Sequence, residues 1–222
     1  ATSVPVEMST CQTLAACDGL ADEVLTTTTY QVGSAGAASN LRPLTVSTGS
    51  GNGSLTAATT TTWTPLGDPQ TVNGPLSGTT DTTRYVWDAM RQLTGIVDPD
   101  PDGSGSLAFP ATRTIYNGDG RPTAVRRGTT TGQSDSAWAA FSSLAAVNSL
   151  YDSRGNRVRD TEVLGSGTVG VTQYSWNAAG QAECVAVRMN PSVFGSLPAS
   201  ACSLSTEGAA GPDRITRNTY DG

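Results

Sequence analysis

Along much of the chain apolar and polar side chains alternate with a period of two, and the alternating stretches end on a large aromatic, as in Thr114-Ile115-Tyr116 and Val171-Thr172-Gln173-Tyr174-Ser175-Trp176. In an extended chain every second side chain shares a face, so these stretches predict strands that finish on an apolar anchor. After the aromatic come a small polar residue and then a glycine. A second alternating stretch follows, as in Asn156-Arg157-Val158-Arg159 or Cys184-Val185-Ala186-Val187-Arg188. An Asp or Asn side chain accepts hydrogen bonds from N–H groups two or three residues ahead, and glycine takes a positive φ freely, so the chain reverses there. The pattern predicts hairpins whose return strands carry Arg on their outward positions.

The signature recurs. Tyr116-Asn117-Gly118-Asp119-Gly120-Arg121, Tyr151-Asp152-Ser153-Arg154-Gly155-Asn156 and Trp176-Asn177-Ala178-Ala179-Gly180-Gln181 align without gaps. Two copies are degenerate: Trp63-Thr64-Pro65-Leu66-Gly67-Asp68 lacks the Asx, and Trp87-Asp88-Ala89-Met90-Arg91-Gln92 puts Arg91 where glycine is expected. Tyr220-Asp221-Gly222 begins another copy, and with Ala1 at the start the chain is expected to be a processed or excerpted piece truncated in mid-repeat. Spacing between aromatics runs from 24 residues (Trp63 to Trp87) to 44 (Trp176 to Tyr220), so loops differ while the turn recurs. One aromatic per hairpin makes no core alone, whereas stacked hairpins align their aromatics into a continuous apolar stripe. The predicted fold is all-β, an array of antiparallel hairpins forming a curved or spiralling, shell-like sheet. It is expected as one continuous stretch over 1–222, degenerate over 1–60 and recognisable over 61–222.

These residues resemble the Rhs or YD-repeat family, whose signature is Tyr-Asp, two variable residues, Gly, and then often Arg or Asn. Tyr151-Asp152-Ser153-Arg154-Gly155-Asn156-Arg157 is similar to that pattern. The resemblance covers Arg84 to Gly222, and before it only Trp63 to Val72. It implies a long β-sheet that spirals into a hollow shell around a toxic C-terminal domain, or a large cell-surface structure. The family's C-terminal plug and self-cleavage motif are not recognisable, so neither cleavage nor toxicity carries over.

Composition narrows the chemistry. Of 222 residues, 36% are hydrophobic and 14% charged, with 25 Gly and 12 Pro, and the abundance of Thr favours many short strands over long helices. Runs such as Thr26 to Thr29 and Thr59 to Thr62 fit strands. There is no Lys and no His, so all 13 positive charges are Arg. The usual general base, the Schiff-base amine and the commonest nitrogen metal ligand are therefore missing. With a net charge of -6 and no basic stripe, no nucleic-acid partner is expected. No window approaches the ~18 apolar residues of a membrane-spanning helix.

Candidate sites are few. Ser136 to Val147 is the expected inserted helix, capped by Asp135 or Ser136, with Trp138, Phe141, Leu144 and Ala145 at spacings of three and four. A further helical turn is expected after Pro191. Asp98, Asp100 and Asp102, followed by Gly103, imitate the first half of a calcium loop. The twelfth position is Phe109 where a bidentate Glu belongs, however, and two prolines stiffen the run, which favours a solvated turn. Asp160 and Glu162 share a strand face but read as surface carboxylates rather than a glycosidase pair. Four cysteines form two local pairs, Cys11 with Cys17 and Cys184 with Cys202, at spacings that suit disulfides in an oxidising compartment. The function expected is a structural repeat segment of a secreted or cell-surface polypeptide, not an enzyme, with no cofactor. Its partners would be the rest of its own polypeptide, neighbouring copies, or an enclosed toxin domain. An extracellular fibre or adhesin module is the alternative, and a carbohydrate-active enzyme the third.

Overall fold

A computed structural model of the chain describes residues 4–12, 17, 19–31 and 41–221. Among them are fourteen strands: β1 (Glu7–Cys11), β2 (Glu23–Tyr30), β3 (Pro43–Ser50), β4 (Thr56–Trp63), β5 (Pro69–Asn73), β6 (Thr83–Trp87), β7 (Leu93–Val97), β8 (Phe109–Tyr116), β9 (Pro122–Thr130), β10 (Ser142–Tyr151), β11 (Arg157–Leu164), β12 (Gly167–Trp176), β13 (Ala182–Arg188) and β14 (Arg214–Arg217). The all-β, antiparallel class is the one the alternation predicts. The chain divides into two compact units, residues 1–111 with 130–140, and residues 112–129 with 141–222.

In the first unit each strand from β1 to β7 pairs antiparallel with the next. Both Thr runs lie in strands, β2 and β4. Their hydroxyls bond across the ladder, Thr26 to Thr48 at 3.1 Å and Thr62 to Thr71 at 2.6 Å, which is how β-branched polar residues stabilise a solvated face. A five-residue helix, α1 (Asp135–Ala139), sits on the β6–β7 hairpin. Its Trp138 ring covers Gly95, which is buried, and a Cβ there would fall within the indole. Arg84, on β6, reaches the Gln133 carbonyl and the Asp135 carboxylate, and Gln133 donates to the carbonyls of Thr82, Val97 and Asp98.

The helix is shorter than the 136–147 span that the sequence predicts, and Ser134 rather than Asp135 or Ser136 caps it. From Ser142 the chain is strand, pairing with β9 on one side and β11 on the other. The spacing of Trp138, Phe141, Leu144 and Ala145 suits a helix face, but two flanking ladders satisfy the segment's N–H and C=O groups over ten residues, and that outweighs one narrow stripe.

In the second unit β9 to β14 pair in chain order. The long connection between β13 and β14 folds back on the sheet as a strap. It opens with a 3-10 turn at Pro191–Val193, the helical turn expected after Pro191, capped by Asn190. Where the strap meets the sheet, Cys184 and Ala186 of β13 and Ala201 of the strap are fully buried, with Cys202 and Ile215 packed against them. Cys184–Cys202 is disulfide-bonded, as is Cys11–Cys17. Arg188 is the second anchor. Both it and Asp213 are buried, and the guanidinium bonds Asp213 at 2.6 Å, the Gln173 amide oxygen at 2.6 Å and the Ser203 carbonyl at 2.7 Å. The outward position expected for Arg188 is therefore corrected: the strap turns that face of β13 into an interior, and Arg is tolerated there because a carboxylate neutralises it.

Candidate functional site

The feature with a recurring geometry is the turn. At Asp88, Asn117, Asp152 and Asn177 the side-chain oxygen accepts from the N–H groups two and four residues ahead. For Asp152 these are Arg154 at 2.9 Å and Asn156 at 2.8 Å. The Asx N–H donates to the carbonyl four residues on, and the residue in the glycine position donates back to the Asx carbonyl, at 3.0 Å for Gly155 to Asp152. Thr64, where no Asx stands, makes the same turn with its hydroxyl, which accepts from Gly67 and Asp68. The Asn156 N–H, set against partial burial, holds the Asp152 carboxyl below the usual carboxylate range.

Gly67, Gly120, Gly155 and Gly180 all have positive φ, between 77° and 89°. Arg91 occupies the same left-handed region at φ 63°, the one non-glycine to do so among the described residues. The degenerate copy keeps the turn although it lacks the glycine.

Aromatics that precede these turns are staples between repeats. With the aromatic as position 0, it pairs with the residue at position 6 across a register shift: Trp63 with Pro69, Trp87 with Leu93, Tyr151 with Arg157, Trp176 with Ala182. Its polar tip then donates to the position-6 carbonyl of the preceding repeat. Trp87 Nε1 reaches Pro69 at 2.7 Å, Tyr151 Oη reaches Pro122 at 3.0 Å, Trp176 Nε1 reaches Arg157 at 2.9 Å and Tyr220 Oη reaches Ala182 at 2.8 Å. Tyr and Trp suit the position because each joins an apolar body to one donor at its tip.

Sequence reasoning missed a copy before residue 60. Tyr30 ends β2, pairs with Pro43 across a register shift, and donates to the Pro5 carbonyl at 2.8 Å, while Trp63 Nε1 donates to Pro43 at 2.9 Å. Gln31 N–H bonds the Arg42 carbonyl, as Asp152 N–H bonds that of Asn156. Tyr30 and Pro43 are 13 residues apart in the sequence where the other copies have six, so no Asx–Gly spacing marks this copy. The available signal was an alternating Thr-rich run ending on Tyr30, with a proline opening the next strand.

The remaining candidates are dispersed. Asp100 accepts from the Asp102 N–H and Asp102 from the Leu107 N–H, so these carboxylates tie their own loop. The Leu107 N–H, against burial, holds Asp102 low. Among the described residues the one group of three potential metal-ligand atoms within 4.8 Å is Cys11, Cys17 and Glu23, and its sulfurs are joined to each other. Asp160 accepts from Ser149 Oγ at 2.7 Å and Tyr174 Oη at 2.9 Å, with Arg157 at 3.4 Å. Burial, and then the Asp160 carboxylate, push the Tyr174 hydroxyl up. Tyr220 and Asp221 are described, and Gly222 lies outside the described residues.

No family model matches the sequence, and no curated protein matches it. Among solved structures the chain is similar to the crystal structure of TcdB2-TccC3, with a TM-score of 0.38 and 12% sequence identity over 78% of this chain and 11% of that one. It is also similar to TcdB2-TccC3-Cdc42, with a TM-score of 0.36 and 12% identity over 76% of this chain and 10% of that one. The chain thus spans about a tenth of the chains it matches.

Proposed function

We propose that this chain is a structural segment of a secreted or cell-surface Rhs-like polypeptide, whose stacked YD-type hairpins build a β-shell that encloses or displays a C-terminal toxin or effector. The observation that carries the reading is the staple, an aromatic tip bonded to the position-6 carbonyl of the preceding repeat, at Tyr30, Trp63, Trp87, Tyr151, Trp176 and Tyr220. Such a contact joins each repeat only to its neighbour, which is the rule by which repetitive sheets extend. Two carboxylates are committed to the scaffold, Asp160 to Ser149 and Tyr174, and Asp213 to Arg188, which supports this reading. Architecture rather than chemistry is the proposed work of the segment.

The test is electron microscopy and limited proteolysis of the complete polypeptide that carries these repeats. A closed particle that protects a C-terminal segment from protease is expected. End-to-end polymers of the isolated 222-residue chain would favour the fibre reading, and hydrolysis of any member of a glycan panel would overturn the non-enzymatic one.

A further inference from the structure

We infer that two residues per junction, position 5 of one repeat and position 4 of the next, form a recognition pair that decides which turn stacks beside which. The inference rests on the stacked-repeat reading and concerns what orders the stack.

At two junctions position 5 is Arg and position 4 is Gly. Arg42, which holds the place of position 5 because the next residue, Pro43, pairs with Tyr30 as position 6 does, lies against Gly67, and Arg121 lies against Gly155; a Cβ on either glycine would fall among the guanidinium atoms. Arg42 also stands over the Trp63 ring, 5.4 Å from its centroid. Glycine at position 4 thus does two things, taking φ of 89° and 84° and leaving the slot open for the neighbour's cation.

At the next junction the polarity is reversed. Position 5 is Asp68, which is buried, and position 4 is Arg91. The Arg91 guanidinium meets the carboxylate through Nη2 to Oδ1 at 2.6 Å and Nε to Oδ2 at 3.0 Å, a two-point contact matched to the shape of both groups. A guanidinium again fills the slot between consecutive turns, supplied now by the later repeat, and a carboxylate replaces the earlier cation. This explains why a non-glycine is held at positive φ there. Arg on both sides would place two cations in one slot, and Asp68 opposite glycine would leave a buried carboxylate without its hydrogen-bonded guanidinium. A third kind of junction, Asn156 with Gly180, leaves nothing within 4 Å of the position a Cβ would take.

The test exchanges one code for the other in the full chain. Asp68→Arg and Arg91→Gly alone are each expected to lower the thermal unfolding midpoint, and the double variant D68R/R91G to recover most of the loss. A double variant as unstable as the two losses added would overturn the pair. Because Asp68→Arg risks not folding, the open junction gives an independent reading: Asn156→Arg is expected to raise the midpoint and to make Gly180→Ala more damaging than in the unaltered chain. An unchanged Gly180→Ala penalty would overturn the proposal. If Trp87→Phe still destabilises while both couplings are absent, the staples stand and only the pairing rule falls; if neither effect is seen, the stacked-repeat reading falls with it.

Discussion

Replacing Asp213 by Ala removes the partner of a guanidinium that is wholly buried, Arg188 and Asp213 being 0% and 2% exposed at their side chains. The Arg188 charge would keep the Gln173, Ser200 and Ser203 oxygens but lose its counter-charge, and the N–H groups of Met189 and Ser205 would lose their acceptor. Breaking one side of a buried pair costs about 3–5 kcal/mol. The two orphaned donors add to this only in part, because the strap can open to water. A loss of about 4 kcal/mol, at a urea dependence of about 2 kcal/mol per molar, moves the unfolding midpoint down by about 2 M. Urea titration followed by tryptophan fluorescence measures it, with Trp176 reporting from the same unit. Replacing both partners by apolar residues, R188M/D213L, should be less damaging than Asp213→Ala, since no unpaired charge remains. A midpoint for Asp213→Ala within about 0.5 M of that of the unaltered chain would refute the reasoning. The pH dependence has a definite sign. Burial alone would raise the Asp213 carboxyl, but the N–H groups of Met189 and Ser205 and the Arg188 guanidinium outweigh it and hold the group far below the ordinary range. A carboxyl depressed in the native state stabilises it above the unfolded value, about 3.9, and that share is lost as pH falls toward the native value. The fall in stability below about pH 4 should therefore be shallower in Asp213→Asn.

Tyr151→Phe deletes one staple bond, and urea unfolding should register a loss of about 0.5–1.5 kcal/mol. Gly155→Ala should cost about 1 kcal/mol more than Gly180→Ala by the same assay: both take positive φ, but only Gly155 has a guanidinium, that of Arg121, where its Cβ would go. Reducing Cys184–Cys202, which closes a separation of 18 residues, should destabilise the second unit by about 3 kcal/mol, seen as a lower melting temperature in a dithiol reductant.

Much of the sheet was legible because it is local. Aromatic, Asx and glycine lie within five residues, so the turns at Tyr116, Tyr151 and Trp176 stand out in the sequence. What depends on distant partners did not. Arg188 alternates with its neighbours like any outward residue, and its burial is decided by a carboxylate 25 residues away. Phe141 to Val147 carries a helix-like spacing, yet its two neighbouring strands decide its conformation. Tyr30 was hidden because its partner Pro43 lies 13 residues on rather than six, and Arg91 looked like a defect until Asp68 stood beside it.

The staple's acceptor is a main-chain carbonyl, and that has an evolutionary consequence. Pro43, Pro69, Pro122, Arg157 and Ala182 all serve, so no substitution at that site can erase the bond while the strand keeps its register. Selection then acts on one partner only. Sequences can drift, and insertions can accumulate between junctions, without the joint itself being unlearned, so arrays of this design should diverge beyond sequence recognition long before their hairpins cease to fit together.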